Sequence, residues 1–131
     1  MATTAVTCEL LAVNVRGNDH TDVGAEHGKG TVAATPTDGW VLSPPSGLQF
    51  DERLVLLCAA DATGDTITVL AGDRYPAQRA DLGNLSIVLA AWDLRMVSIE
   101  TSRFMQNDGT ILMTAVDAGT TIDAAMLPRA P

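Results

Sequence analysis

Four residues that could bind a metal, His20, Asp22, Glu26 and His27, fall within one short stretch, and a divalent cation could in principle gather them. Their spacing matches no metal signature, and a Gly-rich polar loop is the ordinary home of such residues, so no metal is expected. Gly28-Lys29-Gly30 invites comparison with a phosphate-cradling loop. That motif needs a Gly where Val23 stands and a Ser or Thr where Gly30 stands, so its mechanism is missing. Ser43, Ser46, Ser86, Ser98 and Ser102 are possible nucleophiles, yet none lies in Gly-x-Ser-x-Gly, and both histidines share one loop. Sixteen acidic residues leave paired-carboxylate chemistry open in principle, but nothing in the spacing selects a pair. Asp61, Thr63 and Asp65 lack the further ligands and the closing Glu of a calcium loop. Cys8 and Cys58 sit in apolar runs without a CxxC partner or a nearby His, which predicts two buried, reduced thiols. The expectation is a chain without catalytic residues or cofactor.

Composition narrows the class of partner. The chain has 131 residues, 47% of them hydrophobic, which suits one domain with one core. Only 4% are aromatic, so an aliphatic core is expected and a platform for stacking bases or sugars is not. A net charge of −8 repels a phosphate polymer at long range, which argues against nucleic acid. The cations are seven Arg and the single Lys29. Arg is the cation suited to forked pairing across interfaces, which favours an oligomer or a protein partner. No apolar stretch approaches the roughly 20 residues that span a bilayer, and the first residues lack the charged and apolar regions of a signal peptide.

The elements that would position these residues read as strands. Val6, Cys8, Leu10 and Ala12 alternate with Thr7, Glu9 and Leu11, predicting an opening strand with one buried face. From Arg16 to Thr31 no apolar period is visible, so a long solvated loop, the most mobile segment, is expected there. Pro44-Pro45-Ser46-Gly47 marks a turn before a strand at 53–58 that is apolar on both faces and therefore central. Asp61 to Asp65 reads as a turn, followed by a strand through Ile67 and Val69. Pro76 to Leu82, ended by Gly83, could form one helical turn. Strands follow around Leu85–Leu89, Leu94–Ile99, Thr110–Ala115 and Ile122–Met126, with Ala91-Trp92-Asp93 breaking the first pair and Asn107-Asp108-Gly109 a hairpin signal. Seven short strands predict one all-β domain over 1–131, a β-sandwich or jelly-roll-like barrel, with residues 127–131 as a tail.

Thr66 to Ala91, with Ala71-Gly72-Asp73 ending a strand and Leu82-Gly83 closing a Pro-containing loop, is followed by Ser102-Arg103-Phe104, Asp108-Gly109 and Leu127-Pro128. This order resembles small proteins encoded among the head genes of tailed bacteriophages, the capsid decoration (cement) proteins. The resemblance covers about half of the chain. It implies a β-sandwich or jelly-roll subunit, a homotrimer, made in the host cytoplasm and bound to the capsid exterior of the virion. Its partner would be the major capsid protein, with no catalytic residue, cofactor, membrane or nucleic acid involved. On position and composition, the candidate partner contacts are Val6 and Leu11 of the N-terminal strand, His20 and His27 of the long loop, and Trp92 at a tip. Two other classes stand beside this one: a carbohydrate- or receptor-binding β-sandwich of a virion, and a small trimeric all-β nucleotide hydrolase.

Overall fold

Alternation of apolar and polar residues becomes alternation of burial in nearly every strand. The structure, a computed structural model, describes residues 4–10, 31–32, 37–45, 47–51, 54–73 and 83–127. Among the described residues ten strands are formed: β1 (Thr4–Thr7), β2 (Glu9–Leu10), β3 (Thr31–Val32), β4 (Trp40–Ser43), β5 (Leu54–Ala59), β6 (Asp65–Val69), β7 (Leu85–Leu89), β8 (Leu94–Ser98), β9 (Ile111–Thr114) and β10 (Thr121–Met126). One helical turn, α1 (Thr101–Phe104), lies between β8 and β9. In β5, Leu54, Leu56 and Cys58 are buried while Val55, Leu57 and Ala59 are half-buried, and β6 and β9 show the same period of two.

The strands form two five-stranded sheets. Sheet A has the order β1-β4-β9-β6-β7; sheet B runs β2-β10-β5-β8, with β3 pairing antiparallel to the start of β10. The buried residues of both sheets, among them Trp40, Leu42, Ile67, Ile111 and Met113 of A and Leu54, Leu56, Ile122 and Met126 of B, belong to one cluster. The fold is thus an all-β sandwich, as the periodicity predicts, but not a closed barrel, because β7 and β8 each end a sheet. The run 53–58 is central as expected, since β5 pairs with β10 on one side and β8 on the other.

The opening strand is split. β1 pairs parallel with β4 in sheet A, and two residues later β2 pairs parallel with β10 in sheet B. Cys8 is the crossing point: its amide donates to the Ser43 carbonyl at 2.8 Å and its side chain is buried between the sheets. One flank of the sandwich is bridged by this N-terminal segment, while the opposite flank, β7 and β8, has no strand beyond it among the described residues.

The hairpin signal at Asn107-Asp108-Gly109 is met, although not between the strands the sequence suggests. Gln106 donates to the Thr110 carbonyl and Gly109 to the Gln106 carbonyl, and the turn pairs Met105 with Ile111. β8 itself belongs to the other sheet. α1 carries the chain across, with Thr101 and Phe104 buried, and β9 then enters sheet A. The helical turn expected at 76–82, most of the 16–31 loop and the tail beyond Leu127 lie outside the described residues.

Candidate interaction surface

Among the described residues, the carboxylates of Asp61, Asp65, Asp73, Asp93 and Asp108 are engaged in holding the chain in shape. Asp61 Oδ1 accepts from the Thr63 amide at 3.0 Å and the Thr63 hydroxyl at 2.7 Å, and Asp108 binds Thr110 in the same way at 3.1 and 2.7 Å. These are side-chain turns of the Asp-x-Thr kind, and the side-chain hydrogen bond, followed by the backbone one, lowers both carboxyl pKa values. Asp65 is buried. Its Oδ1 accepts from the amides of Thr66 at 2.6 Å, Val116 at 3.0 Å and Asp117 at 3.2 Å, and its Oδ2 from the Thr120 hydroxyl at 2.5 Å. This one carboxylate ties the start of β6 to the link between β9 and β10. Its own neighbours mark it only as a turn residue; its role depends on partners more than 50 residues away.

Both cysteines are free and buried, as expected. Burial pushes the Cys58 thiol up to about 11, which keeps it protonated and a poor nucleophile near neutrality. Among the described residues no group of three or more His, Cys, Asp or Glu converges to hold a metal ion. A shallow groove of about 440 Å³ on the outer side of sheet A is lined by Val41, Asp73, Gln106, Asn107, Asp108, Thr110 and Leu112. Its carboxylates are occupied locally: Asp73 Oδ1 accepts from the Asn107 amide and Asp108 closes its own turn.

The candidate contacts separate sharply. Val6 faces the core at 5% exposure, packed where β1 joins sheet A, so its side chain is not available to a partner. The period of two that makes β1 a strand is what turns it inward. Leu11, His20 and His27 lie outside the described residues. Trp92 is 74% exposed at the corner between β7 and β8. Its amide donates to the Asp61 carbonyl at 2.8 Å, and Asp93 braces the corner by accepting from the Ala90 amide and donating to the Ala90 carbonyl. Among the described non-glycine residues, only Trp92 has a positive φ, 63°. Left-handed backbone is disfavoured for a bulky side chain, and a largely exposed indole recovers little of that cost by packing.

Comparison with known proteins gave no match. No protein-family model fits the chain, and no curated protein and no solved structure is similar to it.

Ala71-Gly72, Gly83-Asn84 and the stretch from Arg103 to Gln106 meet in space. Arg103 of α1 reaches the Gly83 carbonyl through Nε and Nη2 at 3.4 and 3.3 Å, and its guanidinium stacks 4.8 Å from the Phe104 ring centre. The Arg103 carbonyl accepts from the Gly72 amide at 2.9 Å, and Asn84 Oδ1 accepts from the Ala71 amide at 2.7 Å. Gln106 Nε2 completes the set by donating to the Ala71 carbonyl at 3.2 Å. Gly72 is required at this point, because a Cβ there would stand 2.2 Å from the Met105 carbonyl oxygen.

Proposed function

We propose that the protein is a structural virion protein that binds the outside of an assembled phage capsid and stabilises it by bridging major capsid protein subunits. The observation that carries this reading is the convergence just described. Ala71-Gly72-Asp73, the Gly83 that closes the Pro-containing loop, Ser102-Arg103-Phe104 and Asp108-Gly109 carry the resemblance to decoration proteins, and here Ala71, Gly72 and Asp73 are hydrogen-bonded to Asn84, Arg103 and Asn107, and Arg103 to Gly83. Residues that hold one another in place form the kind of rigid scaffold that a capsid-binding subunit needs. The occupied carboxylates and the exposed apolar corner at Trp92 fit a protein whose work is contact.

A cement protein needs a site composed of neighbouring subunits, because only contacts that span them stabilise the closed shell relative to its separated parts. At free protein about 100 times the dissociation constant, each occupied site contributes about 2.7 kcal/mol, and many sites act on one shell. The test mixes purified protein with emptied shells and with unassembled capsid subunits, then measures co-sedimentation and the temperature at which shells rupture. Binding to shells alone, with a raised rupture temperature, is expected. Equal binding to both forms, or binding without a shift, refutes the proposal.

A further inference from the structure

The flank of the sandwich opposite the N-terminal segment carries most of the large apolar side chains that the described surface exposes. Val88 of β7, Trp92 of the corner, and Leu94 and Met96 of β8 are 65%, 74%, 71% and 72% exposed. β8 is exposed along almost its whole length, with only Val97 half-buried; it contains no Pro, Lys or Gly, and its single charge, Arg95, lies on the inner face and is paired with Asp93 at 3.6 Å.

The hydrogen-bond phase of this edge can be worked out. The Ala60 amide donates to the Asp93 carbonyl, and Ala60 and Asp93 continue the antiparallel register that sets Cys58 against Arg95 and Leu56 against Val97. Bonded pairs alternate in such a ladder, so Arg95 and Val97 turn their main-chain groups towards β5. Leu94, Met96 and Ser98 therefore turn theirs outwards, where no described strand receives them. Water can meet these exposed groups one by one, but the protein element that meets three alternate residues in a row is another extended strand.

We propose that this chain is a second copy of the same strand, paired antiparallel about a twofold axis at Met96, so that sheet B runs continuously through both subunits. The register follows from charge and count. Centring on Met96 sets Leu94 against Ser98 of the second copy and Met96 against its own equivalent, so every outward-turned residue of β8 enters a bonded pair. On the inner side Arg95 then faces Val97. Shifting the axis by one residue to Arg95 opposes two guanidinium groups and leaves Ser98 without a pair within β8. The Met96 register also brings the Trp92 corner alongside Glu100 of the second copy and covers apolar surface around Leu94 and Met96. That gives the strained, exposed Trp92 a role it lacks in the free subunit.

The decisive measurement joins solution mass with amide hydrogen exchange. The chain is expected to sediment at twice its 13.7 kDa, with the Leu94, Met96 and Ser98 amides protected in a concentration-dependent way. Arg95 and Val97 should be protected at every concentration. Met96→Pro removes an outward amide and no internal one, so it should yield a folded monomer in which the Leu94 and Ser98 amides exchange freely. Met96→Lys, a charge on the outer face, serves if the proline variant fails to fold. A trimer, as the phage resemblance implies, overturns the twofold pairing, whether or not it survives these substitutions. So does a wild-type monomer whose alternate amides become protected only when capsid shells are added, which would assign the edge to the capsid protein.

Discussion

Asp65 is a buried carboxylate that joins two separate parts of the chain. Four donors from β6 and from the β9–β10 link end on its two oxygens inside a site that is 6% exposed. Asp65→Ala leaves the Val116 and Asp117 amides and the Thr120 hydroxyl without an acceptor and should destabilise by about 3 kcal/mol or more. Thr120→Val removes one donor alone and should cost about 1 kcal/mol; urea unfolding of both and of the double variant measures their coupling. The thiol of Cys58 gives a prediction at the other end of the pH scale. Its folded pKa of about 11 lies above the ordinary 9.0, so the folded state holds its proton longer than the unfolded state does. That contribution is fully present below pH 9 and is lost as pH rises towards 11, an effect of up to about 3 kcal/mol. Comparing alkaline unfolding of the wild type with Cys58→Ala should show the steeper loss in the wild type. Asp61 and Asp108 act in the opposite sense, since their lowered values favour the folded state above the usual carboxyl pKa and that advantage fades as the pH falls through them. Which Asp would be structural was partly legible, because Asp-x-Thr is a local turn pattern. Asp65 was not, because its acceptors serve donors supplied by distant chain.

At the scale of elements, the N-terminal segment does more than its length suggests. β1 extends sheet A, β2 extends sheet B, and Val6 and Cys8 fill the space where the chain changes sheets. Val6→Ser should therefore lower stability by about 2 kcal/mol, read from the midpoint of thermal or urea unfolding, with no separate loss of partner affinity in the molecules that remain folded. Gly39, just before β4, has φ 65° and sits so close to sheet A that a Cβ would meet the Met113 carbonyl oxygen at 1.8 Å. Gly39→Ala should cost about 2 kcal/mol or more and shift the pairing of β4 with β9, visible as faster exchange of amides in both strands. β5, an apolar run bounded by turns, and β6, β7 and β10, with their period of two, are readable from their own residues. β4, Trp40–Ser43, was not singled out, since four residues after a Gly turn carry too short a period. α1 was missed for a related reason: one turn with no side-chain cap gives no start signal, and Thr101 and Phe104 are held by burial.

For the whole molecule, the chain alternates sheets at almost every link. β4, β6, β7 and β9 lie in one sheet and β5, β8 and β10 in the other, so most contacts join residues far apart in sequence. Such a topology should fold slowly for its size, in milliseconds to seconds, with a far-ultraviolet spectrum free of dominant helical minima; stopped-flow refolding and circular dichroism check both. The same layout leaves one flank bridged by the N-terminal segment and the other flank open at β7 and β8, an asymmetry that suits a subunit with one edge for association.

Local chemistry was enough to determine the all-β class, the buried thiols, the acidic turns and the central place of the 53–58 run, because each depends on neighbours within a few residues. A period of two places a side chain on one face whatever the partner strand proves to be. The sheet order, the crossing of the opening strand at Cys8, the gathering of donors on Asp65 and the open edge at β8 were decided only in three dimensions. They are set by which strands meet across the core, and for such pairings hydrophobic alternation offers many nearly equal choices that only the packing of the whole chain resolves.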